Sequence, residues 1–70
     1  MNLADKLFEK YGPLLSFGQL ASILDRSPEG LRVSLRTESQ WSLKINAARL
    51  KVGRRVYFRT SDIATVLEGD

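Results

Sequence analysis

Ser27–Arg36, SPEGLRVSLR, reads as a short helix whose start is written into its first residues. Ser27 suits the N-cap, because its hydroxyl accepts a hydrogen bond from a free N–H of the first turn. Pro28 suits the first helical position, where its missing N–H costs nothing and its φ is already helical. Leu31 and Leu35 then fall one turn apart on one face, while Glu29, Arg32, Val33 and Arg36 point elsewhere. The result is a helix docked by two leucines and presenting two arginines. Gly30 is the odd residue, since a glycine in a helix costs up to about 1 kcal/mol against alanine. Close approach to another backbone, or tolerance near a helix end, would explain it.

Upstream, Leu15–Leu20 (LSFGQL) starts a second helix. Ser16 and Gln19 form a capping box, and Leu15 before the cap meets Leu20 as a hydrophobic staple. Phe17, Leu20, Ala21 and Leu24 share one face with Ile23 at its edge, and small Ala21 lets a neighbouring helix come close. Asp25-Arg26 turns the chain directly into the Ser27 cap. Two helices joined by so short a turn, the second bearing exposed arginines, make the helix-turn-helix pattern. In that pattern Ser27–Arg36 is the DNA-reading helix.

Downstream, Ala48–Arg59 carries a hairpin signal, ARLKV-GRR-VYFR. A three-residue loop, Gly53-Arg54-Arg55, sets Val52 opposite Val56 and Leu50 opposite Phe58 on one apolar side. Lys51, Tyr57, Arg49 and Arg59 then share the other side. A two-residue loop would pair Val52 with Arg55 and mix the faces, so the apolar pattern selects the longer loop, with glycine supplying positive φ. Between helix and hairpin, Trp41, Ile45 and Ala48 fit a helical face, although Trp41, Leu43 and Ile45 also alternate as in a strand. We expect a short helix or irregular turn capped by Ser39 and ending near Asn46, with Trp41 as a core anchor. Thr60-Ser61-Asp62 starts a last helix with Ser61 as cap, and Ile63, Val66 and Leu67 turn inward. At the other end Asn2 caps a helix whose Leu3, Leu7, Phe8 and Tyr11 form an apolar stripe covering the core. Gly12-Pro13 stops it.

The expected architecture is therefore α+β, mostly α: one winged helix-turn-helix domain over residues 1–70. It has an extra N-terminal helix, a two-stranded wing hairpin over about 48–59 and a closing C-terminal helix over about 62–68. Hydrophobic residues make 43% and charged residues 27% of the 70, which suits a single small globular domain with a thin core. The net charge is +3, but it is unevenly spread. Residues 32–59 hold Arg32, Arg36, Lys44, Arg49, Lys51, Arg54, Arg55 and Arg59 against Glu38 alone. Residues 1–31 sum to −1 and residues 60–70 to −3, so a strongly basic block lies in a near-neutral frame. Such a block is the footprint of a polyanion binder, with a solvated basic face as the plain alternative.

Cysteine and histidine are both absent, which removes disulfides, thiol chemistry, the commonest metal ligand and the usual proton shuttle. There is no phosphate-cradling glycine loop and no carboxylate pair at a spacing that brings two acids together, and 70 residues leave little room for a closed pocket. An enzyme, a cofactor and a metal are all unexpected. No apolar run approaches the roughly 20 residues of a membrane span, and Met1–Tyr11 lacks the apolar centre of a secretory signal. A cytoplasmic, nucleoid-associated protein is the expectation.

Double-stranded DNA is the partner that gathers most of these features. Arg32 and Arg36 would reach guanine edges or phosphates, flanked by Ser27, Pro28, Glu29 and Val33. Glu29 either accepts from a cytosine amino group or simply complements the helix dipole. Gly53, Arg54 and Arg55 would form the wing tip on the backbone or in the minor groove, with Arg49, Lys51 and Arg59 on phosphates. A domain this small gains useful affinity by binding as several copies on adjacent sites. The competing expectation is a protein-interaction module, an adaptor or antitoxin-like inhibitor whose basic face meets an acidic partner.

The order LLSFGQLASILDRSPEGLRVSLR, followed by LKVGRRVYFRTSDIATVLEG, resembles the small excisionase and AlpA-type regulators related to the MerR winged-helix domain. The likeness spans about Leu14–Gly69. It is most specific in Leu15–Leu24, in Ser27-Pro28-Glu29, and in Val52-Gly53-Arg54-Arg55 leading to Arg59-x-Ser61-Asp62-Ile63. It implies a DNA-binding protein of a phage or mobile element, acting as excisionase or transcription regulator, with an integrase as a candidate second partner. It also implies DNA contacts at Ser27–Arg36 and Gly53–Arg55. The chain departs from the family in placing Asp25 and Arg26 where glycine and a small apolar residue are usual. Glu38–Ala47 is longer than the usual connection, and Asn2–Tyr11 is extra.

Overall fold

The computed structural model describes residues 2–69, with five helices and one three-stranded antiparallel sheet among them. The elements run α1 (Leu3–Tyr11), β1 (Leu14–Ser16), α2 (Phe17–Ile23), α3 (Pro28–Arg36), α4 (Gln40–Ala47), β2 (Arg49–Val52), β3 (Arg55–Arg59) and α5 (Thr60–Leu67). Four helix starts follow local chemistry. The side chains of Asn2, Ser16, Ser27 and Ser39 each accept from the backbone N–H three residues on, at 2.9–3.1 Å. Ser16 and Gln19 complete the expected capping box. Ser39 and Ser42 form another, which starts α4 as a true helix and sets Trp41, Ile45 and Ala48 toward the interior.

The turn from α2 to α3 forms without a glycine. Asp25 takes φ 55°, a left-handed conformation that its short side chain tolerates. The Arg26 N–H then donates to the Ala21 carbonyl and the Asp25 N–H to that of Ser22. This pair of bonds is the Schellman closure, and it satisfies the carbonyls that α2 leaves free.

The core gathers Leu15, Leu20, Ala21, Leu31, Ile45, Ala48, Phe58 and Ile63, all essentially inaccessible. Every element except α1 and β2 supplies at least one of them or, for Ala48, adjoins it. α1 instead lies along α5, burying Leu7 and leaving Phe8 44% exposed, so its stripe covers the core only in part. α5 starts two residues earlier than expected and has no side-chain cap, so Ser61 lies inside the helix instead of capping it. The correction has a physical cause: the Thr60 hydroxyl donates instead to the Gly12 carbonyl at 2.8 Å, and its N–H to that of Pro13. Those bonds fasten α5 to the segment between α1 and β1.

The sheet departs most from expectation. Leu14–Ser16 is a strand that pairs with β3, making three strands in the order β1-β3-β2 rather than an isolated two-stranded ribbon. The hairpin loop has two residues, Gly53 and Arg54, not three. Val52 pairs with Arg55, Lys51 with Val56, Leu50 with Tyr57 and Arg49 with Phe58. Turn geometry explains the shorter loop. Gly53 has φ 61° and Arg54 is not in the positive region, the arrangement of a II′ turn with glycine first, whose twist matches the strands it joins. A three-residue loop would need its left-handed residue last.

The register mixes the faces that the longer loop would have kept apart. Directly opposed residues share a face, so Arg49 and Lys51 lie on the same side as Val56 and Phe58. Leu50 and Val52 lie on the opposite side with Tyr57. Neither they nor Leu14 join the core, and Val52 is 51% exposed.

Candidate nucleic-acid interface

α3 is held by its two leucines as expected: Leu31 is fully buried and Leu35 packs partly against the core. The remaining face is open. Glu29, Arg32, Val33 and Arg36 are all exposed, and their spacing makes one continuous stripe along the helix. Ser27 and Pro28 are exposed at its start, with the Ser27 hydroxyl occupied in capping. A Cβ placed on Gly30 would lie 3.1 Å from that hydroxyl oxygen. Gly30 therefore leaves room for the cap, a reason neither sequence-based account of it contained.

The hairpin residues are divided between two places. Arg49 joins Arg32 and Arg36 around a groove of about 420 Å³ between α3 and the sheet. Phe17, Leu35, Asn46, Val56 and Phe58 complete its lining, and no acidic residue is among them. Lys51 lies on the same face of the sheet, two residues along β2. Arg54 projects from the turn beside Gly53. Arg55 and Arg59 occupy the opposite face with Tyr57, so they are not gathered with the arginines of α3. Arg59 is further engaged with Asp62 at 3.9 Å, the one ion pair among the described residues, too exposed to contribute much stability.

Three residues outside the expected set help to build the site. The Arg32 guanidinium lies 5.4 Å from the centre of the Phe17 ring, a cation–π contact worth about 0.5–1 kcal/mol at an exposed position. It holds the charge at the groove without neutralising it. The Asn46 side-chain N–H donates to the Leu35 carbonyl at 3.2 Å, supplying a partner for one of the carbonyls freed at the end of α3. Because Leu35 can only accept, the amide orientation is fixed, and its other atom, Oδ1, is left buried without a partner. Arg26 donates to the Ser34 hydroxyl at 2.9 Å and lies 5.6 Å from the Trp41 ring centre, so its charge is spent bracing α3 against α4. None of the three is signalled by local sequence, since each contact joins different elements.

Among the described residues no group of acidic side chains is placed to hold a metal ion, and no helix is long and apolar enough to cross a membrane. Comparison with protein families, curated proteins and solved structures finds no match to this chain.

Proposed function

We propose that this chain is a double-stranded DNA-binding protein of the winged helix-turn-helix kind, with α2 and α3 as the helix-turn-helix and the β2–β3 hairpin as wing. The observation that carries the reading is the convergence of Arg32, Arg36 and Arg49, from two separate elements, at one acid-free groove beside an exposed helical stripe. α3 enters the major groove, where Val33 meets a thymine methyl and Arg32 and Arg36 reach guanine edges or phosphates. Arg49, Lys51 and Arg54 neutralise the flanking backbone. On this geometry Arg55 and Arg59 contribute only to the general field.

The resemblance stated above extends the proposal to an excisionase or transcription regulator of a mobile element, binding as several copies and, for excision, beside an integrase. The exposed Phe8 and Leu43 favour a protein partner as the competing reading. Fluorescence anisotropy with a labelled duplex, repeated across salt concentrations, separates the two. Three to five phosphate contacts, from Arg49, Lys51 and Arg54 with or without Arg32 and Arg36, predict a slope of roughly −3 to −5 in log affinity against log salt. An absence of any anisotropy rise at sub-micromolar protein would defeat the DNA reading.

A further inference from the structure

We infer that the groove between α3 and the sheet is a seat for a single phosphate group, with Arg49 as its anchor. Three arginines line it, and none has a carboxylate partner among the described residues, whose one ion pair is Arg59–Asp62. Three like charges drawn together without compensation repel one another, and an anion placed among them relieves that repulsion. Guanidinium is the group suited to this, since its planar fork offers paired N–H donors to phosphate oxygens. Phe17, Leu35, Val56 and Phe58, which line it as well, carry no competing side-chain donors, and apolar walls lower the local dielectric that each charged hydrogen bond feels.

Arg49 has a particular place because it comes from the sheet. Arg32 and Arg36 ride on one helix, whereas the β2 register turns Arg49 onto the Phe58 side and closes the groove from across it. The phosphate is thus gripped between two elements, which fixes the rotation of α3 against the sheet. Asn46 shapes the back of the seat. Its unpaired Oδ1 accepts a guanidinium N–H as the arginines rearrange around the anion, answering the one unsatisfied buried side-chain atom among the described residues.

The shared chemistry is a phosphate group, from either of two sources: a phosphodiester of the DNA backbone, which rests on the reading above, or a free phosphate ester. The test is arginine Nε–Hε NMR on the whole chain. Inorganic phosphate is titrated at constant ionic strength, and a duplex is titrated separately. Phosphate is expected to shift the Arg32, Arg36 and Arg49 signals together and saturably, leaving Arg54 and Arg55 in place. Arg49→Gln is expected to abolish saturation at the other two and to weaken duplex binding about tenfold, with the salt slope reduced by about one. Arg49→Lys, which keeps the charge without the fork, is expected to restore only part of that loss. An unchanged thermal midpoint in both variants separates binding from folding.

Equal, unsaturable shifts at all five arginines would overturn the seat, as would an Arg49→Gln variant that binds phosphate and duplex normally. Duplex binding that Arg54→Gln weakens as much as Arg49→Gln would also overturn it while leaving the DNA reading intact. Saturable phosphate binding without duplex binding would uphold the seat for a free phosphate ester and defeat the DNA reading.

Discussion

The two faces of the β2–β3 hairpin show how a one-residue change of loop length redistributes chemistry. On one face Arg49 and Lys51 flank Val56 and Phe58, so cations stand beside the most buried aromatic ring of the protein. On the other, Leu50, Val52 and Tyr57 lie outside the core beside Arg55 and Arg59. Hydrophobic pattern alone favours Leu50, Val52, Val56 and Phe58 together on one inward face. What wins is turn chemistry together with a third strand. Glycine at the first loop position selects the II′ turn, and β1 pairs Leu15 with Phe58 to fix which side of β3 is buried. Strand β2, at the sheet edge, follows the register it is given and places its charges where its apolar residues were expected.

The severest way to break this comparison is Phe58→Ala. Loss of a fully buried aromatic is expected to cost about 4 kcal/mol, enough to leave so small a domain largely unfolded, as read by urea denaturation and circular dichroism. Charge reversal then contrasts the faces directly. Arg49→Glu is expected to weaken duplex binding about a hundredfold, because it loses a charged contact and adds repulsion. Arg59→Glu, on the far face, is expected to change it by less than about threefold at the same salt. Equal losses would remove the distinction between the faces.

Smaller effects sharpen the account. Gly53→Ala forces a side chain into the left-handed region and is expected to cost about 1–2 kcal/mol, lowering the thermal midpoint by several degrees. Val52→Thr is expected to change stability by no more than about 0.5 kcal/mol, since the side chain is half exposed and outside the core. A loss well above 1 kcal/mol there, by chemical denaturation, would favour the longer loop that packs Val52 against Val56.

The sequence by itself determined α1, α2 and α3, their order and the docking of α3, while α4 stood open between a short helix and a turn and α5 was placed two residues late. Each cap at Asn2, Ser16, Ser27 and Ser39 needs only a partner three residues away, and the spacing of Leu31 and Leu35 names the buried face of α3 without knowledge of what it packs on. Even the left-handed Asp25 follows from a short side chain between two well-marked helices. Only the tertiary structure decided the strand at Leu14–Ser16, the fastening of Thr60 to Gly12, and the meeting of Arg49 with Arg32 and Arg36. Those features depend on pairings between segments far apart in the chain, where one step of register turns every side chain over. Local hydrogen bonds declare themselves within a turn of helix, whereas a face of a sheet is defined only once its neighbours are in place.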